Sequence, residues 1–419
     1  MSVLLYNIFL LLFRAGTFIA SLFNPKARKW VKGRKGIFEK LEATIPAGEK
    51  IIWVHCASLG EFEQGRPLMD QLRVEAPGHR ILLTFFSPSG YEVQKDYPGA
   101  DWVFYLPLDG PGRARRFLEI VHPSLVIFVK YEFWYYYLKK IKYREIPLLL
   151  ISALFRKDMS FFQWYGGLQR KILSRFDQLF VQNESSRNLL LEIGLGDITK
   201  ISGDTRFDRV VSIAGKSEAL PLIERYAGDC RLLIAGSTWR EDELMLGQSR
   251  LFLESNKLKL VIAPHEISEK DLLSLEEIFP GAVRYSQLEN QTGNPDSPWL
   301  IIDNIGMLSR LYKYGYCCFV GGGMNRNGVH NVLEAAVYDK PVFFGPNYKK
   351  YQEAIGLTDA GGAFVTGDSK TLTGCIQQFM TDELRYREAC RASGEYVRGH
   401  AGATGLIMRY IQENRLLTS

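Results

Sequence analysis

The stretch Ile51-Ile52-Trp53-Val54-His55-Cys56, followed by Ala57-Ser58-Leu59-Gly60-Glu61 and by Phe62–Leu72, reads as strand, tight turn and helix. A near-continuous apolar run predicts a parallel strand covered on both faces, because strands with one wet face alternate instead. Gly60 permits the turn, and Glu61 opens the helix, where a carboxylate meets the positive end of the helix dipole. The same alternation continues outward along the chain. Candidate strands follow at Ile81–Phe86, Trp102–Leu106, Leu125–Val129, Pro147–Ser152, Gln178–Gln182 and Ile198–Ser202. The pattern repeats at Arg231–Ala235, Leu258–Ala263, Ala282–Tyr285, Trp299–Asp303, Tyr316–Val320, Pro341–Phe344 and Ala363–Val365, and Asp382–Arg415 reads as a helical stretch able to fold back. Strands separated by helical stretches build parallel sheets with crossover helices. The expectation is an α/β chain of two Rossmann-like halves, joined near Gly203–Lys216 and facing a central cleft, with its chemistry in the loops after the strands.

At 419 residues the chain has room for two or three domains. A composition of 46% apolar and 23% charged residues excludes a disordered, collagen-like or polytopic membrane protein. The charge is unevenly placed. Residues 1–50 carry nine basic side chains against three acidic ones, a net of +6, which equals the net charge of the whole chain and leaves the body neutral. A nucleic-acid-binding body would carry basic excess, so no nucleic acid is expected as a partner. The six cysteines are scattered without CxxC spacing, which predicts reduced, buried thiols. With no HExxH, HxH or Cys/His cluster, no metal site is expected.

Residues 2–23 are mostly Leu, Phe, Ile, Val and Ala, interrupted by Asn7, Arg14, Gly16 and Thr17. At about 1.5 Å per residue such a helix reaches roughly 33 Å, enough to cross a bilayer. Arg14 near its midpoint argues instead for an interfacial or shallowly inserted anchor. A basic cluster from Lys26 to Lys35 follows, with no acid before Glu39. The positive-inside tendency then puts the body in the cytoplasm, with the cluster against an anionic membrane surface. A removed signal peptide fits less well, since no basic region precedes the apolar stretch and no cleavage signature follows it. The competing reading is a buried core helix followed by a solvated basic loop.

Four places along the chain are suited to chemistry. Glu61 is positioned to accept a proton from an incoming hydroxyl, or only to complement the helix dipole. Glu132, in Lys130-Tyr131-Glu132-Phe133-Trp134, puts a second acid at the same sheet edge. Arg206, in Gly203-Asp204-Thr205-Arg206-Phe207-Asp208, suits a bidentate contact to phosphate or carboxylate, or an ion pair with Asp204 or Asp208. The sharpest local signal is Val320-Gly321-Gly322-Gly323, followed by Gly328-Val329-His330-Asn331-Val332-Leu333-Glu334. Strand, glycine turn and helix N-terminus in that order predict an anion site made by free N–H groups, with Glu334 placed for ribose hydroxyls. The alternative is a glycine turn that only lets helix pack on strand. Neither GxxxxGK[ST] nor a GxGxxG after the first strand of either half occurs, so neither P-loop ATP hydrolysis nor a nicotinamide cofactor is expected.

Taken together, these residues make the chain similar to the lipid A Kdo transferases. The resemblance is carried by Trp53–Glu61, Thr84–Gly90, Glu132–Trp134, Gly203–Asp208, Pro264-His265 and His330–Ala336, and runs in the family's order from the apolar N-terminal segment to about Glu353. It implies a GT-B fold and an inverting, metal-independent glycosyl transfer without a cofactor. The donor would be CMP-Kdo, carrying 3-deoxy-D-manno-octulosonic acid (Kdo), and the acceptor a lipid A precursor of the lipid IVA type. The reaction would belong to lipopolysaccharide biosynthesis at the cytoplasmic face of the inner membrane. By position, the resemblance implies Glu61 as the base, and Glu132 and Arg206 as stabilisers of the transition state. It implies Pro264, His265, Ile305, Gly306, Met307, Asn331, Val332, Leu333 and Glu334 around CMP. Arg206 replaces a lysine common in the family, and Ala263-Pro264-His265 stands where many members read Pro-Arg-His. Leu154 stands where an arginine is usual, with Arg156 as its substitute. The expected domains are an anchor at 1–23, an acceptor-binding half at 24–205, a CMP-sugar-binding half at 206–395 and a C-terminal helix at 396–419. Two other readings compete: a membrane-associated GT-B transferase using a UDP-sugar and another lipid acceptor, and a membrane-tethered nucleotide-sugar-binding protein without catalysis.

Overall fold

The computed structural model describes residues 3–216 and 218–417; Met1, Ser2, Ser217, Thr418 and Ser419, which belong to the expected anchor, second half and C-terminal helix, lie outside the described residues. The chain divides into two units, one running to Arg209 and resuming at Ala401, the other spanning Val210–His400.

The first unit begins with α1 (Val3–Phe23), α2 (Pro25–Gly33) and α3 (Ile37–Thr44). Its sheet is built from β1 (Ile51–Cys56), β2 (Arg80–Phe85), β3 (Trp102–Tyr105), β4 (Pro123–Val129), β5 (Leu148–Ala153), β6 (Gln178–Val181) and β7 (Thr199–Ile201). The strands are parallel in the order β3-β2-β1-β4-β5-β6-β7. Every residue of β1 is buried, which is the physical reason for its unbroken apolar run. Trp53 faces one core with Phe117, Phe128 and Tyr137, while Ile52, Val54 and Cys56 face the other with Phe62, Leu68 and Met69 of α4 (Leu59–Glu75). Each fully buried side chain of this size contributes about 1.5–3 kcal/mol, so the strand holds only under helices on both faces.

The second unit repeats the plan with β8 (Arg231–Thr238), β9 (Leu258–Pro264), β10 (Val283–Arg284), β11 (Trp299–Ile301), β12 (Cys317–Val320), β13 (Val342–Phe344) and β14 (Ala363–Val365). These strands are also parallel, in the order β10-β11-β9-β8-β12-β13-β14. Both sheets are doubly wound, as the alternation along the sequence leads one to expect. Strand order reverses between β1 and β4 in the first and between β8 and β12 in the second. Loops leaving such a reversal diverge, and ligands of open α/β sheets bind there.

The C-terminal stretch is two helices. Glu383–His400 belongs to the second unit, and Ala403–Glu413 to the first. Gly402, at φ +117°, makes the break. Ile407, Met408 and Ile411 then join the core that holds Ile52, Val54 and Val129. Asp208 fixes the start of this last helix by accepting from the Gly402 and Thr404 amides (2.5 and 2.9 Å) and the Thr404 hydroxyl (2.9 Å).

α1 seats one face on its unit. Tyr6 and Leu10 are buried; the Tyr6 hydroxyl donates to Asp109 (2.7 Å) and the Tyr136 hydroxyl to Asn7 Oδ1 (2.8 Å). Asn7, a polar break in the apolar stretch, is thereby accounted for. The other face exposes Leu4, Leu5, Ile8, Leu11, Leu12, Phe18, Ile19 and Leu22, so a buried core helix does not describe it. By length and composition α1 is apolar enough to cross a membrane. The basic stretch after it is helix α2, capped by Asn24 Oδ1 on the amides of Lys26 and Ala27 (2.8 and 3.3 Å), with Pro25 in the first turn.

Candidate functional site

In the first unit the parallel register sets His55 of β1 beside Thr84 of β2. Trp53 and His55, two residues apart, point to the same face. Trp53 Nε1 can only donate, and it does so to Thr84 Oγ1 (2.7 Å). The Thr84 hydroxyl completes a bond to His55 Nδ1 (2.8 Å), leaving His55 Nε2 to donate to Glu132 Oε2 (2.6 Å). Trp134 Nε1 donates to the same oxygen (2.7 Å). The chain of bonds thus runs from Trp53 through Thr84 and His55 to Glu132. Glu132 sits in the turn after β4, where Lys130 takes φ +66° and the Tyr131 amide bonds Val129 O (3.1 Å). A non-glycine residue in that conformation is strained and is held there by its surroundings.

Glu61 occupies the first turn of α4. Ser58, at the N-cap position, turns its hydroxyl to Glu61 Oε2 and makes no cap bond to the helix backbone. Arg206 lies at the start of the helix Thr205–Gly215 and grips buried Asp204 from its amide (2.9 Å), Nε (2.9 Å) and Nη2 (2.8 Å). Gln64 Nε2, on α4, donates to both oxygens of the same carboxylate (3.0 and 3.1 Å). Burial pushes the Asp204 carboxyl up, but the Arg206 charge and these hydrogen bonds outweigh it and hold it below the usual carboxylate range. The ion pair weighed for Arg206 thus exists within one unit and orients the guanidinium.

Two neighbours register how these groups cluster. Burial, then the charges of Glu61 and Glu132, push the Cys56 thiol up. Burial raises the Tyr131 phenol, with Arg156, Glu61, Asp204 and Arg206 all acting on it. Glu61, Glu132, Arg206 and Arg156 therefore gather where β1 and β4 end.

In the second unit Pro264 ends β9, and the His265 amide bonds Thr238 O (2.9 Å). The His265 ring stacks on Trp239 (centroids 4.5 Å) and on His330 (4.7 Å). Trp239 Nε1 donates to His330 Nε2 (2.9 Å), which requires that nitrogen unprotonated. Burial and the adjoining His265 hold the His330 pKa down to about 4. Asn331 Nδ2 donates to Glu334 Oε1 (3.0 Å), and Asn331 Oδ1 accepts from the Leu333 amide (3.2 Å); Val332 and Leu333 are buried. Ile305-Gly306-Met307 stands on a separate turn after β11, with Ile305 exposed, Gly306 at φ +97° and Met307 buried.

The glycine turn departs from expectation. The Gly321 amide bonds Gly236 O (2.9 Å) and the Gly322 amide bonds Asp242 Oδ2 (2.8 Å), so neither is free for an anion. The helix that follows is only Leu333–Ala336. A Cβ on Gly321 would strike Ser237 O, and one on Gly323 would lie 2.6 Å from the Gly345 amide nitrogen. These glycines permit close backbone packing, the alternative weighed above. Trp239 and Asp242 were missed by the sequence reading, although Trp239 follows β8, the first strand of its half, as Ser58–Glu61 follows β1. Among the described residues no group of three or more His, Cys, Asp or Glu is arranged to hold a metal ion.

Residues 30–209 match the family described as 3-deoxy-D-manno-octulosonic-acid transferase (kdotransferase). The chain is 30% identical over 319 residues to a 3-deoxy-D-manno-octulosonic acid transferase of Aquifex aeolicus (strain VF5), covering 74% of this chain and 80% of that one. It is 27% identical over 415 residues to the enzyme of the same name from Haemophilus influenzae, covering 94% and 95%. Among solved structures, a UDP-GlcNAc 2-epimerase from Neisseria meningitidis bound to UDP-GlcNAc superposes with a TM-score of 0.60 at 15% identity, covering 87% of this chain and 100% of that one. That likeness speaks to the fold alone, two Rossmann-like units of the GT-B type.

Proposed function

This chain belongs to the 3-deoxy-D-manno-octulosonic acid transferase family, and from that premise we propose that it moves Kdo from CMP-Kdo to a lipid A precursor of the lipid IVA type. It is a glycosyltransferase of lipopolysaccharide biosynthesis. The observation that carries the finer reading is the gathering of two carboxylates and two guanidinium groups, Glu61, Glu132, Arg206 and Arg156, where β1 and β4 end.

In the proposed reaction an acceptor hydroxyl oxygen forms a bond to the anomeric carbon while the bond from that carbon to the CMP phosphate oxygen breaks. CMP leaves with the electron pair, and the hydroxyl proton passes to Glu61. The Ser58 hydroxyl orients the Glu61 carboxylate for this task. Glu132, held in place by donors from His55 and Trp134, opposes the positive charge that develops on the sugar. Arg206, aimed by Asp204, meets the charge of the leaving phosphate, and Arg156 suits the sugar's own carboxylate. Because the Gly321 and Gly322 amides are engaged internally, the glycine turn is assigned no part in stabilising the leaving group. The second unit is proposed to hold CMP through Pro264, His265, Ile305–Met307 and Asn331–Glu334, with the Trp239–His265–His330 stack offering flat surfaces to the cytosine ring.

The acceptor is a membrane glycolipid, and α1 with the basic α2 supports attachment at the cytoplasmic face of the inner membrane. The seated face of α1 leaves the exposed Leu, Ile and Phe side chains for the bilayer, and α2 lies at an anionic surface. The deciding assay mixes the full chain with CMP-Kdo and detergent-dispersed lipid IVA in EDTA and follows product mass. Addition of Kdo is expected. Turnover with a UDP-sugar in its place, or none with either donor, would overturn the reading in favour of the two competing ones.

A further inference from the structure

One cavity of the first unit is lined by none of the residues proposed for the reaction. It has a volume of about 720 Å³ and lies among α1, α2, the start of α3 and the segment Pro107–Arg113. Its wall is apolar at Leu11 and Phe18 and cationic at Arg14, Lys32, Lys35 and Arg113. None of these four cations makes an ion pair among the described residues, whereas Lys29 on the same helix α2 pairs with Glu92 (3.5 Å). The single acid in the lining, Glu39, is drawn to Arg116 (3.5 Å). Arg113 donates Nη2 to Asp109 O (2.8 Å), and burial together with the Arg14 charge beside it holds its pKa below the usual arginine value. The Arg14 guanidinium is thus close enough for its charge to act on Arg113, and two like charges at short range favour an anion between them.

The cavity is distinct from the candidate catalytic cluster. Arg34 bounds it on the side of Glu132, whose charge it feels, and is locked by Leu106 O (2.9 Å), Phe86 O (2.8 Å) and Trp30 O (3.2 Å) while lying over the Trp30 ring (3.9 Å). Leu11 and Phe18 continue into the exposed apolar face of α1 at Leu12, Ile19 and Leu22. A small anion would leave that apolar wall unused, and a neutral lipid would leave the cations unmatched.

We propose that this cavity binds the phosphodiester headgroup of an anionic glycerophospholipid, with Arg14 and Arg113 on the phosphate, Lys32 and Lys35 at its rim and an acyl chain along Leu11 and Phe18. Arg14, an oddity in an apolar helix, is then a lipid ligand. The proposal is independent of the transfer reaction.

The test uses the full chain in a neutral detergent and native mass spectrometry with dioctanoyl phosphatidylglycerol, dioctanoyl phosphatidylcholine and inorganic phosphate as separate probes. One phosphatidylglycerol is expected to bind saturably, at least about tenfold tighter than either other probe. Arg14→Gln, at an exposed position with no partner inside the fold, is expected to weaken it about tenfold or more; Arg14→Glu is expected to abolish it. The KM for detergent-dispersed lipid IVA should stay unchanged in Arg14→Gln. Equal binding of phosphatidylcholine, phosphate binding as tight as the lipid's, or an Arg14→Gln affinity within twofold of the parent overturns the proposal. A KM that rises in step with lost phosphatidylglycerol binding also overturns it, by giving the cavity to the acceptor. A chain that binds the lipid but transfers no Kdo would refute the reaction and leave this site standing.

Discussion

Thr84 has one hydroxyl and two fully buried neighbours that need it, the Trp53 indole N–H and His55 Nδ1. Thr84→Val keeps the shape and leaves both without a partner, at a cost of about 1–3 kcal/mol for each buried group left unsatisfied. The thermal midpoint of the first unit is expected to fall, and turnover with it, because His55 then no longer fixes Glu132; Thr84→Ser should restore both. A Val variant as stable and active as the parent would show that the hydroxyl is incidental. Glu61→Gln is expected to lower kcat about 10²–10⁴-fold, the usual contribution of a general base, while leaving nucleotide-sugar affinity nearly unchanged. Single-turnover rates beside a CMP-Kdo binding isotherm decide it, and a kcat within a few-fold of the parent rejects Glu61 as the base. His330 makes a pH prediction. Its folded pKa of about 4 lies below the unfolded value of about 6.5, so between them the unfolded chain binds the extra proton. The stability that neutral His330 supplies is complete above pH 6.5 and is lost as pH falls toward 4. Melting curves from pH 7 to 5 should therefore decline less steeply for His330→Asn than for the parent, and parallel slopes would contradict the assignment. Among these residues the places of Glu61 and Glu132, in the segments that leave β1 and β4, were legible in the sequence because an apolar strand precedes each. The Thr84–His55 bond was not, since it depends on the register of two strands 29 positions apart in sequence.

At the scale of elements, the apolar segment and the strands were readable for one reason: burial on both faces writes unbroken runs such as Ile51–Val54 and Leu148–Ile151. What was not readable was the seating of α1. An apolar helix carries no mark of which side rests on protein; buried Leu10, Tyr6 bonded to Asp109 and Tyr136 bonded to Asn7 reveal it. The distinction changes the truncation experiment. Deleting residues 1–23 removes Tyr6 and Leu10 from the core as well as the exposed face, so it should lower the melting temperature of the first unit. Replacing Leu4, Leu5, Ile8, Leu12, Ile19 and Leu22 with Ser leaves the seated face whole; it should weaken sedimentation with anionic liposomes while the melting temperature and detergent-based turnover persist. Sedimentation undiminished in that variant would place membrane attachment elsewhere. The amides of Gly321 and Gly322 were misread for a related reason: a glycine run looks the same whether those two amides face a ligand or Gly236 and Asp242.

For the whole molecule, the alternation of strands and helices was enough to expect two doubly wound units. That the last helical stretch folds back was expected as well, but not where it lands, because Ile407, Met408 and Ile411 have the spacing of any amphipathic helix and do not name their partner. Removing residues 401–419 is expected to strip hydrogen-exchange protection from the amides of β1 and β4 and to leave β8 and β9 as they were. Equal loss in both sheets, or none in either, would refute the assignment of that helix. The same arrangement sets an order of events during translation. The strands of the first unit leave the ribosome early, yet the helix that covers Ile52, Val54 and Val129 emerges only after all of Val210–His400 has been made. At about 5–20 residues per second, that interval is on the order of ten to forty seconds. Throughout it the sheet face packed under α4 lacks Ile407, Met408 and Ile411, and the nascent unit also carries an apolar leading helix, so completion of the N-terminal half is timed by synthesis of the C-terminal half.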